Sequence, residues 1–333
     1  MDLGVLLVSL LVILMGAESF TNALEHVGER LKISEGVTGS IFAAVGTALP
    51  ETIVPIVAIF STVGTAEVRG EVGIGAILGA PLMLSTLTLF LMAMFAARRR
   101  GLNGELHPER TGLMRDLSWF LFAFGISTVA IFLPVEPRLP RVLAAQILVV
   151  IYFIYLMLTI RASAKLVADG HGTKADHPLY ATRLKLPGNM AVILLQLGVG
   201  FVLIVMGARG FVHGVESLSQ TLGISALVLA LLIIPVATEL PEKINSILWI
   251  RRRRDTLAFG NITGAMVFQG SLLPAIGIVL TPWVPRLEIV AGMALTLLAS
   301  VYVLYMLRRG TLRPWHLGFN GLCYLAYFLT IAV

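Results

Sequence analysis

Displaced by 191 positions, the sequence meets a second version of itself. "GAESFTNALEHVGERLKIS" (16–34) falls on "GARGFVHGVESLSQTLGIS" (207–225), so Gly16, Ala17, Phe20, Glu25, Leu31, Ile33 and Ser34 recur as Gly207, Ala208, Phe211, Glu216, Leu222, Ile224 and Ser225. The same displacement carries Val45, Thr47, Leu49, Pro50, Glu51, Ile53 and Ile56 onto Val236, Thr238, Leu240, Pro241, Glu242, Ile244 and Ile247. After a six-residue slip, "GAILGA" (75–80) falls on "GNITGA" (260–265). Unrelated apolar helices match in Leu, Ile and Val, whereas a repeated Pro-Glu in register marks internal duplication.

The chain as a whole is predominantly apolar. Of 333 residues, 57% are hydrophobic and 13% charged, and the mean hydropathy is +0.89, far from the balance of a water-soluble domain. A membrane-spanning helix needs about 20 apolar residues. Ten such stretches are legible, at roughly 3–24, 35–62, 71–97, 114–134, 140–161, 188–214, 225–250, 256–280, 287–307 and 315–332. Five spans per copy is an odd number, so the second copy enters the membrane from the side opposite to the first. The expected fold is therefore an all-α polytopic membrane protein of ten transmembrane helices in two inverted five-helix repeats. The first repeat is expected over 1–161 and the second over 188–333, with a polar cytoplasmic linker at 162–187. "MDLGVLLVSL" carries an acid and no basic segment, so it reads as the start of the first span and not as a signal peptide.

Of the 25 Lys and Arg, 19 fall in loops on one side and four on the other, with Arg209 and Lys243 inside spans. Positive loops stay in the cytoplasm, which puts both termini outside the cell membrane. The +6 net charge and the "RRRR" run at 251–254 then read as topology anchors and not as a nucleic-acid surface. Cys323 is the single cysteine, so an intrachain disulfide and a multi-cysteine metal site are excluded. His171 and His177, in the linker, are expected to be solvated loop residues. Trp119, Trp249, Trp283 and Trp315 fall near span ends, as in an interfacial aromatic belt.

Glu51 and Glu242, each directly after a proline inside an apolar run, carry the chemistry. Proline removes a backbone donor, so Pro50 and Pro241 are expected to break their helices and free carbonyls such as those of Gly46 and Ala237. Polar groups at that depth cost several kcal/mol each unless they face protein, water or an ion, and ionisable residues there are functional by default. Inverted repeats with broken helices place substrate sites near the bilayer midplane. Two carboxylates, two threonine oxygens and water approach the coordination of a hard cation such as Ca2+. Glu239 and Lys243, spaced i, i+4, are expected to neutralise each other. Two facing acids, Glu51 and Glu242, would remain, and these cannot both stay ionised without a cation.

"GTALPE" (46–51) and "ATELPE" (237–242) resemble the repeated signature of the calcium/cation antiporter superfamily, the sodium/calcium exchangers. "GNITGAMVFQ" (260–269) is similar to that family's downstream Gly-Asn segment. The resemblance implies Glu51 and Glu242 as central cation ligands, with Thr47 and Thr238 lending oxygens and Glu239 and Gln269 at further family site positions. It implies transported cations (Ca2+ first, with Na+ or H+ as counter-ion) as substrates, with no cofactor, no enzymatic activity and no protein partner inferable beyond the lipid bilayer. The chain departs from the family pattern where a hydroxyl is expected. Ala48 and Glu239 precede Leu-Pro-Glu, Ala80 and Ala265 follow the downstream glycine, and Leu84 and Gln269 close the segment. Sodium-type hydroxyls are thus lost while both glutamates are kept, which favours protons as the counter-ion. Two alternatives stand beside antiport. One is an intramembrane enzyme using the glutamates as acid and base, although no nucleophile elbow or His-Glu-x-x-His motif accompanies them. The other is a transport-impaired relative with Lys243 filling the site.

Overall fold

The structure, a computed structural model, describes residues 2–30, 44–60, 65–167 and 177–332. Among these residues there are helices and turns but no strand; one isolated bridge joins Leu106 and Leu312. Seven helices are long and apolar enough to cross a membrane, and two shorter apolar helices cover Ala226–Val236 and Gly318–Ile331. The seven coincide with expected spans one, three to six, eight and nine. The expected span at 35–62 is described only from residue 44, as α2 below. The described chain gathers into two compact units, Met1–Arg69 with Phe153–Ile224, and Gly70–Tyr152 with Ser225–Val333. Each unit draws on both sequence halves.

The first unit is built on α1 (Asp2–Arg30) and α7 (Met190–Leu222), with α2 (Ala44–Ile59). One stripe of α1, including Leu6, Ile13, Ala17, Phe20 and Leu24, is buried, while Leu7, Val8, Leu11 and Met15 on the opposite side are exposed. Their 3- and 4-residue spacing is that of one helix face, and lipid gives an exposed leucine no penalty. Association between membrane helices relies on close packing over small residues, and glycines supply it here. A Cβ on Gly16 would fall 2.9 Å from both the Gly200 carbonyl oxygen and the Ile204 nitrogen; one on Gly207 would fall 3.0 Å from the Ser9 carbonyl oxygen and 2.9 Å from the Ile13 nitrogen. Adding 191 to Gly16, Ser9 and Ile13 gives Gly207, Gly200 and Ile204, so the two contacts exchange atom for atom under the sequence repeat. Helices that exchange contacts in this way run antiparallel about a two-fold axis perpendicular to both.

The end of the linker docks onto this pair. Asn22 donates to the carbonyls of His177 and Pro178 and accepts from the Tyr180 amide at 3.0 Å, while Gln196 accepts from the Ala181 amide at 2.8 Å and donates to Ser19 and Asn22. Leu179 and Ala181 pack with Ala23 and Ile193. The Tyr180 hydroxyl donates to Glu18 at 2.8 Å; burial, together with the hydrogen bond and charge of Glu18, pushes this phenol's pKa up. His177 is an exposed loop residue as expected, whereas His171 lies outside the described residues.

The second unit contains α3 (Ala66–Met83), a π-helical turn at Leu84–Thr88, α4 (Leu89–Arg100), α5 (Arg110–Val129), and the first part of α6 (Leu139–Val167). It continues with α8 (Ala226–Thr238), α9 (Leu240–Arg251), α10 (Asp255–Gln269), α11 (Leu272–Leu280), α12 (Leu287–Arg308) and α13 (Gly318–Ala332). The span from α3 through α4 is enclosed along most of its length. Gly75 and Gly79 let α3 touch α8, since a Cβ on Gly75 would lie 2.9 Å from the Leu227 carbonyl oxygen and one on Gly79 would strike Leu231 and Pro235.

Both copies interrupt their helix at the same place. Pro81 withholds an amide from the Ile77 carbonyl, and the wide turn at Leu84–Thr88 follows; Asn320 of α13 donates to the freed Ser85 carbonyl at 2.7 Å. Displaced by 185, this turn corresponds to Gln269–Leu273, where α10 gives way to α11. At the arginine-rich end, the Arg100 guanidinium makes two 2.6 Å hydrogen bonds to the Asp255 carboxylate and one of 2.9 Å to the Ile250 carbonyl, with both charged side chains buried. Trp283 is fully buried in protein, donating from Nε1 to the Ser127 carbonyl at 3.2 Å, which gives the indole N–H its partner. Trp315 is exposed as expected, and Cys323 is a buried free thiol.

Candidate functional site

The break between α8 and α9 consists of one residue, Glu239, at φ −91° and ψ 4°. Two prolines explain it. Pro235 sits within α8, and Pro241, in the first turn of α9, offers no amide to the Ala237 carbonyl. In the first copy the outcome differs: α2 runs from Ala44 to Ile59 without interruption through Pro50, contrary to the expected break. The prolines differ in placement: Pro235 and Pro241 flank Glu239, whereas α2 carries Pro50 and Pro55 and has Ala44 at the mate of Pro235. Comparing the copies hid Pro235, since only matched residues stand out in such a comparison.

Around the break the second unit buries several polar side chains. Glu239, Glu242, Lys243, Thr238 and Gln269 are all buried. Carboxylate oxygens of Glu239 and Glu242 lie within 4.8 Å of each other. Glu239 Oε1 accepts from Gln269 Nε2 at 2.9 Å, so Gln269, the last residue of α10, is tied to the break. Glu242 lies in the first turn of α9, where the helix dipole favours a carboxylate. Its Oε2 is buried and receives no hydrogen bond among the described residues. Asn261 of α10 holds this turn by donating to the Glu242 carbonyl at 3.2 Å and to Ser246 Oγ at 3.0 Å. The Thr238 hydroxyl donates back to the Ile234 carbonyl at 3.2 Å, which leaves its oxygen lone pairs available as acceptors or ligands.

Lys243 reaches back across the break. Its Nζ lies 2.8 Å from the Pro235 carbonyl oxygen and 2.6 Å from Met83 Sδ. The ammonium is thereby drawn to a carbonyl and a thioether, and the Glu239 carboxylate accepts from the Gln269 amide. Met83 carries no motif in the sequence and enters only through folding.

Of the candidate ligands, the second unit therefore brings together Glu239, Glu242 and Gln269, with Thr238 on the adjoining turn. Glu51 lies on α2 in the first unit and is likewise buried. Thr47 is on the same helix, and its side chain lies outside the described residues. Burying two carboxylates this close is costly unless positive charge compensates them. Hard oxygen donors of this kind suit Ca2+, Mg2+ or Na+ better than softer metals.

The sequence pattern of the sodium/calcium exchanger protein family matches residues 1–161 and 192–333. CaxA of Alkalimonas amylolytica is 25% identical over 313 residues, covering 92% of this chain and 90% of its own. The fold is shared with the H+/Ca2+ exchanger CAX at a TM-score of 0.73 and 17% identity, over 100% of this chain and 82% of that one. It is shared with the sodium-calcium exchanger NCX_Mj at a TM-score of 0.60 and 19% identity, over 98% of both chains.

Proposed function

The chain belongs to the sodium/calcium exchanger family, and from that membership we propose that it is a secondary active cation antiporter working by alternating access. Its substrate is a divalent cation, Ca2+ in the first instance, exchanged for H+ or Na+. The observation that carries this reading is Glu242. It is a carboxylate buried at a helix break in a membrane protein, with one oxygen that receives no hydrogen bond among the described residues, and its repeat mate Glu51 is buried too. In the proposed site the two acids face each other near the bilayer midplane. Thr238 and Thr47 lend oxygens, and Gln269 and Glu239 complete the polar lining.

The architecture proposed is ten transmembrane helices in two inverted repeats, 1–161 and 188–333, joined by the linker 162–187, with both termini outside. The exchange of contacts between α1 and α7 supports it, because a two-fold axis perpendicular to two spanning helices lies in the membrane plane and inverts one repeat relative to the other. Obligatory exchange follows from electrostatics: the charged site is too costly to reorient empty, and it crosses only when a cation or protons compensate it. The missing sodium-type hydroxyls at Ala48, Ala80 and Ala265 favour H+ as the counter-ion.

Proteoliposomes loaded and assayed across mono- and divalent cations test the reading. Ca2+ uptake driven by an imposed pH gradient is expected for the wild type, with flux at the background of empty vesicles for Glu51→Gln and for Glu242→Gln. Full flux in both variants removes the site. Uptake that follows a Na+ gradient and ignores pH replaces H+ by Na+.

A further inference from the structure

Three departures from the repeat meet at one helix break. Pro235, Glu239 and Lys243 have Ala44, Ala48 and Thr52 as mates, so the second copy has gained a proline, an acid and a base that the first lacks. The proline contributes to opening the helix at Glu239, the acid occupies the opening and accepts from Gln269, and the lysine returns its ammonium to the carbonyl of that same proline at 2.8 Å. A main-chain carbonyl at a helix break is the kind of oxygen a dehydrated monovalent ion takes inside a membrane transporter. Nζ also lies 2.6 Å from Met83 Sδ, a neutral group. That carbonyl also accepts the Glu239 amide at 3.2 Å, so the ammonium, held by a four-carbon stem, takes its second acceptor position.

We propose that Lys243 is a built-in monovalent cation that sets the charge carried per transport cycle. The inference rests on the antiport reading above, in which Glu51 shares the site. The added acid and base cancel, so three carboxylates and one ammonium leave two negative charges, the same as the two repeat-related glutamates alone. One divalent cation neutralises them, and so do two monovalent ions. Exchange then moves no net charge. Without Lys243 the site keeps three negative charges, a third monovalent ion is needed on the return, and each cycle moves one charge across the membrane.

The test is Ca2+ accumulation in proteoliposomes under a fixed pH or Na+ gradient, with the membrane potential clamped by K+ and valinomycin at zero and at about 100 mV. One net charge per cycle at 100 mV shifts the steady-state accumulation ratio about 50-fold. The wild type is expected to show no shift, Lys243→Gln about a 50-fold shift, and the double variant Glu239→Gln/Lys243→Gln, which restores the charge balance, no shift again. A wild type that already responds to potential overturns the proposal, as does a Lys243→Gln variant that transports without responding. Should Lys243→Gln be inactive, the double variant decides: recovered, potential-independent exchange supports the charge role, and continued inactivity overturns it. A wild type that exchanges no cation at either potential refutes the antiport reading itself, and is seen before any variant is compared.

Discussion

The repeat-related contact between α1 and α7 makes a quantitative prediction. In Gly16→Ala the new methyl would lie 2.9 Å from the Gly200 carbonyl oxygen and the Ile204 nitrogen, where ordinary contact begins at 3.4 Å. Both obstacles are backbone, so no rotamer change relieves the clash and the helices must separate by about 0.5 Å or more. A gap of 0.5–1 Å forfeits roughly a quarter to a half of each dispersion well of about 0.1–0.2 kcal/mol. Summed over the side chains meeting at the crossing, that gives about 1–3 kcal/mol, the usual range for overpacking. Gly207→Ala should cost a similar amount, because its obstacles are the repeat mates of the same atoms. The double variant should cost less than the sum, because one separation of the helices relieves both clashes. Gly198→Ala on α7 is the control: nothing lies within 4 Å of its Cβ position, and the gain in helix propensity, about 0.5–1 kcal/mol, makes it neutral or stabilising. Thermal unfolding in detergent, followed by fluorescence-detected size exclusion, reads the series; at roughly 2–4 °C per kcal/mol the clashing variants should melt about 2–12 °C below wild type. If Gly198→Ala falls as far as Gly16→Ala, or if Gly16→Ala and Gly207→Ala differ widely, the packing and symmetry reasoning fails.

Asp255→Asn should lower stability by about 3–5 kcal/mol, since it leaves the buried Arg100 guanidinium without its bidentate partner; the same melt checks it, and a loss below about 1 kcal/mol would show that the pair is solvated. Glu109 caps α5, accepting from the Thr111 and Gly112 amides at 2.7 and 2.6 Å. Desolvation pushes its carboxyl pKa up, but those two amides and the charge of Arg115 more than offset this and hold it below the ordinary glutamate value. The cap's stabilisation is therefore present above the ordinary glutamate pKa and fades as pH falls through the lowered one. Glu109→Gln should cost about 0.5–2 kcal/mol at neutral pH, and melts of the two proteins should converge in acid; a difference that grows on acidification refutes the assignment.

The sequence by itself determined the family, the all-helical membrane class and the repeated Pro-Glu pattern. Apolar stretches of spanning length and a Pro-Glu motif repeated at a fixed displacement are one-dimensional patterns, and lipid makes them decisive because an unsatisfied backbone in hydrocarbon is costly wherever it occurs. Position along the chain was therefore enough to nominate Glu51, Glu242 and Gln269 as candidates. Tertiary structure alone decided what those residues meet. α2 passes straight through Pro50 while the second copy breaks at Glu239; Lys243 reaches Pro235 and Met83; Asn320 clamps a turn 235 residues away; and Trp283 is enclosed by protein. The contacts of Lys243 with Met83, of Asn320 with Ser85 and of Trp283 with Ser127 depend on which distant segment arrives beside a residue. That is settled by close packing at sites such as Gly16 and Gly75 and by the need of every buried polar group for a partner, and neither leaves a periodic trace in the chain.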